Sequence, residues 1–267
     1  MQPLKTFSKS HATIVCDNFS YDQKPEIRTF IESPEIVRII DTVKEDFVMV
    51  LGGDGTMLRA IHAHHSDNLP FVGVNFGTKW FLLNDQNWME KTTEFQERLY
   101  PLLEVNVRQG NASHKAVAFN EVQIKSASGG MLDIDFSIGN RVTQNVQWDG
   151  LLVVTPAGST GYNRSAWGPI LPHDSKHGII TPLIPWLPRN MRPVLYNLRE
   201  EVRIENRTER SRKLSIYADS VDVLENITES VSVTVRESKT RVRLLIAGEH
   251  LEEWDAKIFA EQGMEIL

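Results

Sequence analysis

An aspartate set among glycines, Gly52-Gly53-Asp54-Gly55-Thr56, is the first feature of this chain whose residue types could do chemistry. It follows the apolar run Asp46–Leu51 and precedes a helical pattern with Met57, Leu58, Ile61 and Ala60 on one stripe. Glycines at such a junction let the backbone turn sharply and come close to a ligand. The helix start behind them offers unpaired N–H groups and a partial positive charge, a seat for phosphate. A carboxylate in that seat repels the anion the turn attracts, so it needs a task of its own. It could hold Mg²⁺ or accept the proton of an attacking hydroxyl; a structural task, capping the helix, is the alternative. A P-loop would need Lys where Thr56 stands, and a dinucleotide fingerprint would need a last glycine that nothing after Gly55 supplies. The turn therefore points to phosphoryl transfer and leaves the acceptor open.

A second set of residues could name the acceptor. Asn120-Glu121 closes a strand-like run and is followed by Gln123 and Lys125. An Asn side chain can donate to and accept from one heterocycle edge, and a neighbouring carboxylate can hold two vicinal ribose hydroxyls; a solvated strand edge is the plainer reading. Asp149-Gly150 precedes the apolar strand Leu151–Thr155, and Pro156-Ala157-Gly158-Ser159-Thr160-Gly161-Tyr162-Asn163 follows it. Small side chains leave room for a flat ring, hydroxyls and bare N–H groups can read its edge, and Tyr162 can stack on it. The order Gly-Ser-Thr-Gly is not the Gly-x-Ser-x-Gly elbow of a serine hydrolase. His62, His64 and His65 do not fall on one helix face, which argues against a metal site there.

The elements that must position these groups fall into two regimes. Over residues 1–100, Ala12–Cys16, Asp46–Leu51 and Phe71–Val74 read as strands buried on both faces, with helices after Gly55 and over Asn87–Leu99. This is the grammar of an α/β domain with an open, mostly parallel sheet. Over residues 101–250 the segments Val117–Lys125, Met131–Ile138, Leu151–Thr155, Glu201–Glu205, Leu214–Tyr217, Val231–Val235 and Val242–Ile246 predict an all-β, sandwich-like domain. Residues 251–267 read as a C-terminal helix, with Leu251, Trp254, Ile258 and Phe259 at helical spacing, expected to pack on the first domain.

Composition narrows the partners. The 267 residues carry 29 Lys and Arg against 35 Asp and Glu, a formal charge of −6, with no basic run to meet nucleic acid or an anionic membrane. One cysteine, Cys16, excludes an intramolecular disulfide framework and a Cys-rich zinc site. No secretory pattern and no apolar stretch of ~18 residues is visible, so a soluble, cytoplasmic protein is expected.

Gly52–Thr56, Asn120-Glu121, Asp149-Gly150 and Thr155–Asn163 together, in this order and spacing, resemble the NAD kinase family. The string Tyr162–Pro172 and the stretch Ile180–Leu183 look like its bacterial ATP-NAD kinase branch. The resemblance implies phosphorylation of the adenosine 2′-hydroxyl of NAD by ATP, or another phosphoryl donor, to give NADP. Asp54 would be the proton acceptor, with Mg²⁺ or another divalent cation bound with the nucleotide and no dedicated protein metal cage. Gly53, Asp54 and Gly55 would face the phosphates. Asn120, Glu121, Asp149, Ala157, Thr160, Gly161, Tyr162, Asn163, Arg164 and Ser165 would bind NAD, with Tyr162 flanking the adenine. A homodimer or homotetramer is also implied. Trp80 stands where the family usually has a glycine, adding bulk beside a ligand loop, and Gly161 replaces a common alanine. Two competing readings are a lipid kinase of the diacylglycerol type and a non-catalytic dinucleotide-binding regulator; the second gains nothing from a carboxylate near phosphates.

Overall fold

A computed structural model describes residues 3–78, 80–143, 146–206 and 212–250, together with 252, 256, 257 and 260. Its contacts divide the chain into two compact units, Met1–Tyr100 with Thr240–Leu267, and Pro101–Lys239.

Unit 1 is α/β. Strands β1 (Leu4–Lys9) and β2 (Ala12–Asp17) form an antiparallel hairpin, and β2, β3 (Phe47–Gly52) and β4 (Phe71–Asn75) run parallel. Leu244, on a later strand, pairs parallel with Phe71 and adds that strand beside β4. Every residue of β3 and β4 is buried, as strands covered on both faces must be. Between β2 and β3 lie the helices α1 (Asn18–Gln23), α2 (Pro25–Ile31) and α3 (Pro34–Thr42). Prolines open α2 and α3, where the missing N–H is no loss, and α3 buries Ile36, Ile39 and Ile40 at helical spacing. Helix α4 (Asp54–His64) follows the glycine turn. The helix expected over Asn87–Leu99 is shorter: α5 covers Gln86–Lys91 and ends at Thr92, whose backbone is extended. From Phe95 the chain is strand, with side chains alternating toward the core, so a period of two overrides the helical pattern there.

Unit 2 is a β-sandwich. The strands are β5 (Phe95–Gln109, entered from unit 1), β6 (Ala112–Ala118), β7 (Glu121–Ser126), β8 (Leu132–Ile138), β9 (Arg141–Val142), β10 (Gln147–Trp148), β11 (Gly150–Val154), β12 (His177–Leu183), β13 (Val194–Asn197), β14 (Val202–Asn206), β15 (Leu214–Ala218), β16 (Val221–Ile227) and β17 (Ser232–Ala247). One sheet runs β13-β12-β11-β7-β15-β16, all antiparallel. Against it stand β17, β14, β8 and β10 with the β5–β6 hairpin. Their apolar side chains meet in one core, where Val122, Ile124, Leu151 and Val153 pack with Leu103, Phe136, Ile204 and Val233.

Two strand expectations change. The run Val117–Lys125 breaks at Phe119-Asn120 into β6 and β7, so Asn120-Glu121 opens a strand instead of closing one. Val231–Val235 and Val242–Ile246 are the two ends of a single strand, β17. The intervening Arg236–Arg241 is polar in sequence yet continues the pairing, because a half-exposed strand tolerates polar residues on its outer face. Of the C-terminal helix, Glu252, Ala256, Lys257 and Ala260 are helical, and the rest of 251–267 lies outside the described residues.

Candidate active site

The glycine turn is built from below. An added Cβ on Gly52 would sit 2.5 Å from Thr56 Oγ1, so this glycine serves packing. Gly53 and Gly55 are different. An added Cβ on either would come no closer than 3.9 Å to the atoms around it, so packing does not demand a glycine there, and Gly55 is exposed. Thr56 Oγ1 donates to the buried Asp17 Oδ2 at 2.8 Å, and Arg59 Nη2 lies 3.2 Å from the same oxygen. Burial alone would raise Asp17, but hydrogen bonds from Ser20 and Thr56, then the Arg59 charge, outweigh it and hold the carboxyl below its usual range. This buried network anchors the first turn of α4, and no local motif announces it: Asp17 and Arg59 lie on different elements.

Asp54 is the first residue of α4, and Gly53 is the cap, so the capping role weighed for Asp54 is not what the fold uses. Its carboxylate instead accepts from the segment after β4. Phe81 N–H donates to its two oxygens at 3.1 and 2.9 Å, and Leu82 N–H donates at 3.0 Å. Burial raises Asp54 to about 6; the Leu82 and Phe81 N–H groups and the charge of Lys257 act in the opposite sense. A carboxylate near 6 is ionised at neutral pH and basic enough to take a proton.

In unit 2, β7 alternates. Val122 and Ile124 enter the core, while Glu121, Gln123 and Lys125 form a polar row on the opposite face, with Leu152 and Tyr217 flanking Gln123 across the sheet. The turn before the row is held by Asp219, whose carboxylate accepts from the N–H groups of Phe119, Asn120 and Glu121 at 2.6, 2.7 and 3.0 Å. Asp219 and Ser220 are both at positive φ, the conformation that a two-residue hairpin between β15 and β16 requires.

Two acceptors at this turn are buried without a hydrogen-bond partner, Asn120 Oδ1 and Glu121 Oε2. Glu121 Oε1 accepts from Gln123 Nε2 at 2.9 Å. Burial, and then the Asp219 charge, push Glu121 up to about 7. Buried acceptors left unpaired are costly and mark a place where donors of a ligand belong.

The small-residue loop closes over this turn. Thr155 Oγ1 donates to Phe119 O at 2.6 Å, and an added Cβ on Gly158 would lie 2.2 Å from Asn120 O, so only glycine fits there. Ala157, Thr160, Gly161, Tyr162, Arg164 and Ser165 keep accessible surface. Lys125 Nζ sits 4.2 Å from the centre of the Tyr162 ring. Asn163 is fully buried: its amide donates to Ser159 O and Pro169 O at 3.1 and 2.9 Å, and it accepts from Thr181 at 2.5 Å. Asn163 thus braces the loop from inside. Ser159 is also buried and bonded, to Pro156 O and from Leu171 N–H, so it is no nucleophile.

Asp149 is not gathered with Asn120 and Glu121. The register sets Val154 opposite Glu121 and Gly150 opposite Lys125, which puts Asp149 roughly 15 Å away along the strand pair. His64 pairs with Asp67, and no group of three or more potential metal ligands occurs among the described residues. Cys16 is buried, and burial pushes its thiol up to about 11. Asp17, Arg59, Thr181 and Asp219 escaped sequence reasoning, and Gln123 was noted only as a neighbour of Asn120-Glu121. For Asp219 the only signal was its place just after the strand-like segment Leu214–Tyr217.

Two family models cover nearly the whole chain: the ATP-NAD kinase N-terminal domain matches residues 5–118 and the ATP-NAD kinase C-terminal domain residues 119–246. The NAD kinase of Xanthomonas oryzae pv. oryzae is 37% identical over 227 residues, 81% of this chain and 85% of that protein. The NAD kinase of Brucella suis is 35% identical, over 81% and 84%. The fold is shared with yeast NADH kinase solved with NADH (TM-score 0.72, 19% identity, 83% of this chain and 68% of that one). It is shared also with an Archaeoglobus fulgidus NAD kinase solved with ATP (TM-score 0.66, 20% identity, 94% and 97%). On the two family models and the curated relatives, the chain belongs to the NAD kinase family.

Proposed function

We propose that this protein phosphorylates the adenosine 2′-hydroxyl of NAD with ATP to form NADP, with Asp54 as the general base. The observation that carries the assignment of the base is the placement of Asp54. It stands at the first residue of α4, between the half-buried Gly53 and the exposed Gly55, and burial raises it to about 6. Phosphate at the helix start would be met by free N–H groups, while the carboxylate takes the hydroxyl proton as the bond to phosphorus forms. The orphaned Asn120 Oδ1 and Glu121 Oε2 are suited to adenine and ribose donors, respectively. Tyr162, whose ring packs with Lys125, would flank the adenine, and Gly161 with the accessible edges of Thr160, Arg164 and Ser165 would complete that contact. Ala157 contributes a small side chain, and Asn163 acts through the loop shape. Asp149 would be reached by an extended dinucleotide lying along β7 and β11.

A divalent cation such as Mg²⁺ would enter with the triphosphate and neutralise charge on its oxygens. The cation's ligands there would be phosphate oxygens and water, with no dedicated protein cage. The family resemblance also favours a homodimer or homotetramer in the cytoplasm. The purified protein incubated with NAD, ATP and Mg²⁺ should yield NADP in a coupled dehydrogenase assay; absence of NADP sinks the reading.

A further inference from the structure

Trp80 lies immediately before the two residues whose N–H groups hold Asp54. Its indole Nε1 is buried and has no hydrogen-bond partner, so the edge of the ring does not fix it. The face does. Lys257 Nζ lies 4.0 Å from the Trp80 ring centre and 4.4 Å from that of Trp88. Trp88 is buried on α5 beside Met89, which belongs to the unit 1 core. An ammonium between two indole faces is attracted by both, and more strongly where water is excluded.

We propose that Lys257 is a positioning residue for Asp54: clasped between Trp80 and Trp88, it fastens the Trp80–Leu82 backbone so that the Phe81 and Leu82 N–H groups stay on the carboxylate. The proposal rests on the reading of Asp54 as the base. A chain with glycine at position 80 has no ring to offer, so the clasp is a feature of this sequence. The Lys257 charge also favours the ionised form of Asp54, in keeping with the same role. In this role the clasp orients Asp54 for proton transfer.

Steady-state kinetics of Lys257→Met and Lys257→Arg, each alone and in an Asp54→Asn background, test this. Lys257→Met should lower kcat roughly tenfold with KM for NAD and ATP within about twofold, the scale of a lost cation–π pair. Lys257→Arg should recover most of the rate, since a guanidinium also stacks on indole. Trp80→Leu should lower kcat similarly, and Lys257→Met should add little to it. In the Asp54→Asn background Lys257→Met should cost nothing more. A wild-type kcat in Lys257→Met, or the same tenfold fall without Asp54, overturns the proposal. If Lys257→Met does not fold, Trp80→Leu alone decides by the same kcat criterion. Full activity in Asp54→Asn alone instead removes the base reading and is distinguishable from both.

Discussion

Asp219 and Glu121 hold each other by reciprocal hydrogen bonds: Glu121 N–H donates to Asp219 Oδ1 at 3.0 Å, and Asp219 N–H donates to Glu121 O at 3.0 Å. With Phe119 and Asn120 also donating, one carboxylate sets the whole turn that presents the proposed NAD contacts. Asp219→Ala leaves three donors without their acceptor and should destabilise the protein by about 1–3 kcal/mol. It should also raise KM for NAD more than it lowers kcat. Thermal melts and steady-state kinetics check both, and an unchanged KM would place the turn outside the NAD site.

Asp54→Asn keeps the size of the side chain and removes its basicity. We expect kcat to fall about 10²–10⁴-fold while NAD binding, measured by calorimetry, changes little. Because burial raises Asp54 to about 6, the acidic limb of kcat/KM should lie near that value and not near the 3.8 of an ordinary aspartate. The base works when ionised, so activity rises with pH through this range. A profile flat down to pH 5 contradicts the assignment.

Gly55→Ala separates folding from ligand approach. An added Cβ meets nothing closer than 3.9 Å, and alanine is the better helix former, so the melting temperature should hold or rise. If triphosphate packs against this face, turnover should drop at least roughly tenfold, the cost of crowding a close contact by a methyl group. Wild-type turnover in Gly55→Ala would move the phosphates elsewhere.

Glu121 gives a stability signature. Its carboxyl is raised from 4.5 to about 7, so the folded state holds a proton that the unfolded chain releases. Stability from this group is therefore greatest below pH 4.5 and is lost as pH rises toward 7. Glu121→Gln should raise the melting temperature at pH 8 relative to wild type by roughly 2–6 °C and have little effect at pH 4. The same variant should weaken NAD binding about tenfold or more through loss of a charged acceptor. A variant whose melting curve tracks wild type at every pH would refute the burial argument.

The strand β3 and the position of the glycine turn were legible from Asp46–Thr56 alone, since a continuous apolar run followed by glycines and a helical stripe has few other solutions; β2 and β4 were legible from their own apolar runs, while the polar β1 was not. The alternating segments of unit 2 likewise declared a β-rich fold. Periodicity did not resolve where Val117–Lys125 breaks, because Phe119 and Asn120 are bent by Asp219, about a hundred residues away in sequence. Nor did it distinguish α5 from β5 over residues 92–99, where a tertiary pairing overrides a weak helical pattern. Residue types at Asn120, Glu121 and Asp54 suggested donors, acceptors and a base. Their burial, the unpaired oxygens at Asn120 and Glu121, the bracing role of Asn163 and the hydrogen bonds on Asp54 came only with the fold. Side-chain chemistry is written in the residue itself. Its protonation and unmet bonding are set by neighbours that only tertiary structure brings together.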